Sequence, residues 1–232
     1  MRGVTVWDVA VVGIDGCRDG WIAVVWREGR VDVRFWSSID QIHEVPDVLV
    51  AAIDIPLGLS ETGERQADLL ARRKLPGRSS TIFNAPARSC LSALDDYQRA
   101  NDLSRRNGAK GLSRQSFGLM AKIHEVDEFW PSAPCPLYEV HPELSFARLN
   151  AGRPLAPKKS WAGVVARREL LLARGIVLDD FREASAGRVN ADDVLDAGVC
   201  AWTATNILRG DVERLPDPPE FDATGREMSI RV

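Results

Sequence analysis

The sequence predicts an α/β chain built on a mixed sheet, and three observations carry that reading. Two apolar runs, Val9 to Ile14 and Val48 to Ile53, are continuous enough to be central strands covered on both faces, and each ends at an aspartate, Asp15 and Asp54. Between them, Trp21 to Trp26 and Val31 to Trp36 read as two further strands separated by a turn at Glu28-Gly29, an antiparallel meander. Later stretches carry helical periodicity with recognisable start and stop residues.

Size and composition fit one domain with an insertion: 232 residues, 45% hydrophobic and 27% charged, can bury a full core. No apolar stretch approaches the roughly 20 residues that cross a bilayer. The N-terminus, where Asp8 breaks a short apolar run, lacks a signal-peptide pattern, so a cytoplasmic protein without a membrane partner is expected. Cys17, Cys90, Cys135 and Cys200 lie far apart with no C-x-x-C pair, which argues against a zinc knuckle and a disulfide framework and for buried, reduced thiols.

The elements follow in order. The first strand is expected to stop at Asp15, with Gly16 to Gly20 as a turn. A short polar helix around Ser38 to Glu44 leads to the strand that ends at Asp54 and is stopped by Pro56. From about Gly58 to Phe129 helix-compatible segments alternate with Pro and Gly interruptions, which suggests a mainly helical insertion. Leu137 to Val140 is a short strand holding Glu139. Ser160 caps a helix through Arg174 that stops at Gly175, and Asn190 caps another from Ala191 to about Leu208. A Pro-rich turn at 216–219 precedes a terminal strand near Met228 to Val232.

Charge is unevenly spread. The formal net charge is -3, yet Arg65 to Lys122 holds twelve basic residues against four acidic ones. Such a surplus can bind phosphates without regard to sequence; the stacking aromatics there are only Phe83, Tyr97 and Phe117. A solvated helical surface explains the same charges.

The acids give the chemistry. If the strands ending at Asp15 and Asp54 are parallel neighbours, both carboxylates stand at the carboxyl edge of the sheet, where open α/β folds bind ligands. Asp193 and Asp196, three apart, share a helix face that can close over that edge, and Glu139 is a fifth candidate. Clustered carboxylates raise one another's pKa and call for a counter-charge; hard oxygen donors suit Mg²⁺ or Mn²⁺. Two such ions can drive in-line displacement at phosphorus, so phosphodiester hydrolysis is the leading chemistry. Each acid also has a structural explanation: Asp15 can open a turn, and Asp192 and Asp193 suit a helix's first turn. Asp196 lies among apolar residues, where an unpaired carboxylate is costly. His124 and His141 suit hydrogen-bonded packing, Glu143 an outer or structural role, and Lys159 either a phosphate contact or an exposed loop.

Five stretches together resemble the DUF429 family, bacterial and archaeal proteins predicted to be nucleases of the ribonuclease H-like fold. They are Gly13-Ile14-Asp15-Gly16, Ile53 to Gly58, Lys122 to Asp127, Tyr138 to Glu143 and Asp193 to Ala197, and the resemblance covers nearly the whole chain. The last stretch also resembles the C-terminal helix of Holliday-junction resolvases, where two acids three apart complete a metal site with strand-end acids. The resemblance implies Asp15 as the first-strand acid, Asp54 as the fourth-strand acid and Asp193 with Asp196 as the helix pair, with Arg88 at a position facing the site.

The expected architecture is therefore a ribonuclease H-like, five-stranded mixed sheet, three strands antiparallel and two parallel, flanked by helices. It forms one domain over 1–232 with a basic helical insertion at about 58–130. The expected function is that of a metal-dependent nuclease, a hydrolase acting on a nucleic acid or nucleotide. Its metal ligands are Asp15, Asp54, Asp193 and Asp196, Glu139 is a further catalytic acid, and Arg88 and Lys159 are substrate contacts. Two alternatives remain open. A strand ending Gly-Ile-Asp-Gly also begins actin-like nucleotide phosphotransferases, which pair two such domains; and a non-catalytic module could use the acidic edge or the basic segment to bind protein or nucleic acid. A homodimer is compatible with either.

Overall fold

The computed structural model describes residues 9–27, 29–109, 111–178 and 189–232; Glu28 of the expected turn and Lys110 of the basic segment lie outside them. Among the described residues seven strands are present: β1 Ala10–Cys17, β2 Gly20–Arg27, β3 Arg30–Trp36, β4 Val48–Ile53, β5 Leu137–Val140, β6 Arg214–Phe221 and β7 Glu227–Arg231. The α-helices are α1 Gln66–Lys74, α2 Tyr97–Arg106, α3 Arg114–Phe129, α4 Pro142–Leu149, α5 Trp161–Leu172 and α6 Ala191–Leu208. The described residues group into two compact units. One is drawn from Met1–Asp54, Pro131–Val212 and Arg231–Val232, the other from Ile55–Trp130 and Glu213–Ile230.

In the first unit five strands form a mixed sheet in the order β3-β2-β1-β4-β5. The β1–β2 and β2–β3 pairs are antiparallel, whereas β1–β4 and β4–β5 are parallel. Strand β1 is buried almost throughout and β4 from Val50 to Ile53, which accounts for their apolar sequence. The first strand does not stop at Asp15: pairing with β2 continues through Cys17↔Gly20, so the turn shrinks to Arg18 and Asp19. The polar segment after β3 is a 3₁₀ helix, Ile39–Glu44, capped by the Ser38 side chain.

Helix α6 packs along β1, β2 and β4, and α4 and α5 pack against α6. Val11, Val50, Ala52 and Val140 on the sheet meet Cys200 and Ala204 on the helix. The approach is closest at Gly13, where a Cβ would lie 2.0 Å from the Ala201 nitrogen and 2.1 Å from the Ala197 carbonyl oxygen. Backbone touches backbone there, and only glycine leaves the room. Helix α4 was not anticipated, although Pro142 at its first position and Glu143 in its first turn are ordinary helix-start residues.

The second unit holds α1, α2, α3, β6 and β7. Ala87, Cys90, Ala93, Ala100, Leu112 and Met120 form its core, and Tyr97 and Phe117 stack edge to face with ring centroids 5.4 Å apart. Two buried charge sites tie its loops. Arg65 pairs with Asp68 at 2.6 Å and donates to the carbonyls of Leu57 and Gly58. Asp222 accepts from the backbone N–H groups of Leu59, Thr224 and Arg226 and from the Arg88 guanidinium. Burial acts to raise the Asp222 pKa, but these donors outweigh it and hold it below the usual carboxylate value.

Where a Pro-rich turn was expected, the chain forms β6, with Pro216, Pro218 and Pro219 inside it and β7 as its neighbour. β6 is an edge strand, where N–H groups on the outward side need no partner, so proline is tolerated on that side. The expected five strands thus become seven. Among the described residues no helix is long and apolar enough to cross a membrane.

The contact at Gly13 makes a direct prediction. In Gly13→Ala the added methyl must push α6 off β1, and stability should fall by about 1–3 kcal/mol or more. Urea denaturation measures this, and a variant within about 0.5 kcal/mol of the parent would show that the helix does not sit on the strand.

Candidate functional site

Asp15 and Asp54 follow a pair in parallel register, Ile14↔Ile53, and the Asp54 N–H donates to the Ile14 carbonyl at 3.0 Å. The two acids are therefore neighbours across strands about 4.8 Å apart. Both point to the face of Gly13 and Val11, the face covered by α6, because side chains alternate along a strand. Asp196 descends from α6 one residue before Ala197, whose carbonyl abuts Gly13. The close approach at Gly13 thus brings the helix acid to the strand acids.

Asp15 and Asp196 are buried and Asp54 is partly buried. Burial pushes the Asp15 carboxyl well above its usual pKa, the charges of Asp54 and Asp196 add to the rise, and Lys158 opposes it. Asp54 is pushed up to about 7, mainly by burial, with Lys158 opposing and Glu143 adding. Asp196 also rises to about 7: burial dominates, Lys158 opposes, and Asp54 and Glu143 add. The mutual influence places the three carboxylates in one electrostatic cluster.

Among the described residues, Lys158 brings positive charge to this cluster. Its Nζ donates to Asp196 Oδ2 at 2.6 Å and stands 3.6 Å from Asp192 Oδ2. Burial acts against its ammonium, but Asp196, Asp15 and Asp192 outweigh that and its pKa rises. The other Asp196 oxygen, Oδ1, is buried without a hydrogen-bond partner among the described residues. One turn further along α6, the Cys200 thiol is kept protonated by burial and by the charges of Asp54, Asp15 and Asp196, so it is neither nucleophile nor anionic ligand.

Of the other expected site residues, Asp193 lies near the cluster and Glu139, Arg88 and Lys159 make no contact with it that the structure shows. Glu139 pairs in register with Ile53, so alternation sends it with Ile53 and Ile14 to the sheet face away from Asp15 and Asp54. Asp193 serves the start of α6, accepting from the N–H and Nδ2 of Asn190, while its charge adds to the rise at Asp15. Arg88 is engaged within the second unit by Asp127 and Asp222. Lys159 is exposed, and its neighbour Lys158 makes the contact with the acids. One residue of the site was not foreseen: Lys158 was hidden because sequence cannot say which of two adjacent loop lysines turns inward. Glu143, expected as an outer or structural acid, is buried in α4 and ion-paired with Arg167 at 2.5 Å.

A family model described as a protein of unknown function (DUF429) matches residues 13–221. The chain belongs to the DUF429 family. The match to DUF429 begins at Gly13 within β1 and takes in β4, β5, α6 and every acid of the cluster. No curated protein and no solved structure matches this DUF429 chain.

Raised carboxyl pKa values set a sign for stability. Asp54 and Asp196 bind protons more tightly in the fold than in the unfolded chain, so their contribution is fully present below about pH 4 and is lost as pH rises through about 7. In chelator, the melting temperature should fall between about pH 5 and pH 8, and Asp196→Asn should flatten that fall. An unchanged slope in the variant would remove Asp196 from the titrating cluster.

Proposed function

We propose that this protein is a metal-dependent phosphodiesterase, a nuclease of ribonuclease H-like fold that uses Mg²⁺ or Mn²⁺. The observation that carries the reading is the convergence of Asp15, Asp54 and Asp196, from two parallel strands and one helix, at a largely buried point served by the Lys158 ammonium. Ionised together, three carboxylates beside one ammonium leave a negative surplus in a low-dielectric place, and this surplus demands protons or a cation. The strand arrangement of the first unit, three strands antiparallel and then two parallel, supports the fold reading.

Donor chemistry fits a hard cation: all three groups are carboxylates, and Asp196 Oδ1 is a buried acceptor with no donor among the described residues. As the side chains stand, no group of three His, Cys, Asp or Glu among the described residues is disposed to hold an ion, and Lys158 covers the remaining oxygen of Asp196. Asp15, Asp54 and Asp196 would be the ligands, with Asp193 fixed at the helix start beside them. When bound, the ion supplies water activation and charge stabilisation at phosphorus. The residues of the chain position the scissile group against the sheet edge and exclude bulk water beneath α6, and exposed Lys159 would contact phosphates of a nucleic acid or nucleotide. In the hydrolysis, water adds its oxygen to phosphorus, the ester P–O bond breaks, and the leaving oxygen takes up a proton.

The test is cleavage of labelled single-stranded, duplex and branched DNA and RNA with Mg²⁺, with Mn²⁺ and with chelator. Cleavage should need the metal, and Asp15→Asn should lower it ~10²-fold or more while the circular dichroism spectrum is unchanged. Wild-type cleavage by Asp15→Asn would remove the acid cluster from the chemistry.

A further inference from the structure

Lys158 is placed by a loop whose backbone is fixed on both sides of it. The Pro157 carbonyl accepts from the Ser160 N–H at 2.9 Å and from the Ser160 hydroxyl at 2.7 Å, and the same hydroxyl accepts from the Gly163 N–H at 3.1 Å. The Ala156 carbonyl accepts from Arg167 at 2.9 Å, and that guanidinium is fully buried against Glu143. At Gly163 a Cβ would lie 2.0 Å from the Pro157 carbonyl oxygen, so this stretch of loop rests directly on the first turn of α5. Lys158 therefore leaves from a fixed point, and its long side chain supplies the freedom.

That side chain is 39% exposed along its length while its ammonium rests on a nearly buried carboxylate. It can withdraw into water without moving the loop. Where it stands, it covers one oxygen of Asp196, and the other has no partner among the described residues. A divalent ion drawn to the same carboxylate would meet a like charge within a few ångströms, in a setting where water screens little.

We propose that Lys158 is the resident counter-ion of the acid cluster, and that a divalent cation enters among Asp15, Asp54 and Asp196 by displacing its ammonium from Asp196. Lys158 is then a positioning residue that holds the carboxylates together without metal and sets the metal affinity. The inference rests on the metal-site reading above. It also accounts for the present arrangement, in which the acids are gathered but none of their triads is disposed around an ion.

The experiment is Mn²⁺ titration of the full chain, followed by calorimetry and by the electron paramagnetic resonance signal of free Mn²⁺, for wild type, Lys158→Met, Lys158→Arg, Lys159→Met and Asp15→Asn. Methionine keeps the stem and removes the charge, so Lys158→Met should bind Mn²⁺ about tenfold more tightly or better. The same variant should melt at lower temperature than wild type in chelator and recover with Mn²⁺. Arginine forks onto a carboxylate with two hydrogen bonds and is harder to displace, so Lys158→Arg should bind Mn²⁺ more weakly than wild type. Lys159→Met should match wild type, since that lysine is exposed. If wild type binds Mn²⁺ and Asp15→Asn does not, yet both Lys158 variants bind with wild-type affinity, the metal site stands and the counter-ion role is overturned. If no variant binds Mn²⁺ while all remain folded, the metal-site reading itself fails and this inference with it.

Discussion

The candidate site depends on the contact of α6 with β1 at Gly13. Strand-end acids alone make a pair on an open edge; the third carboxylate arrives only because the helix backbone lies against the strand, with the Ala197 carbonyl and the Ala201 nitrogen where a Cβ would be. The facing helix positions are small for the same reason. Ala197, Ala201 and Ala204 let the helix settle, and Asp196 is carried down with its neighbours to join Asp15 and Asp54. Packing at one glycine is thus the cause, and a cluster of acids with raised pKa values is the consequence.

That cluster is costly, and the surrounding residues show how the cost is met in part. Burial and mutual repulsion favour protonation of Asp15, Asp54 and Asp196, while Lys158 favours their charged forms. Glu143 adds to the repulsion, yet it is itself fixed by Arg167, and Arg167 also holds the loop that presents Lys158. One buried guanidinium therefore links the nearby acid to the placement of the counter-charge. Functional sites commonly hold such opposed pKa shifts, because a group poised between two states can respond to a ligand.

Much of this was legible in the sequence, for identifiable reasons. The apolar runs that became β1 and β4 each carry an aspartate at the same offset, and parallel register turns that offset into adjacency. Asn190 and Ser160 mark the starts of α6 and α5 because capping is a local matter. What was not legible depended on non-local facts. The prolines of β6 read as a turn because edge position cannot be seen in one chain segment. Glu139 looked like a site acid because a strand-end motif does not reveal which face its register selects. The choice of Lys158 over Lys159 is made by Arg167 and Gly163, residues that follow on α5 and whose contact with the loop exists only in the fold.

The central claim, that Asp15, Asp54 and Asp196 form a site for a hard divalent cation, is tested most directly by anomalous diffraction from crystals soaked in Mn²⁺. An anomalous peak bounded by these three carboxylates is expected, about 2.0–2.3 Å from their oxygens, with the Lys158 ammonium drawn away from Asp196. A fully ordered acid cluster with no anomalous peak, and Lys158 still on Asp196 at high Mn²⁺, would contradict it.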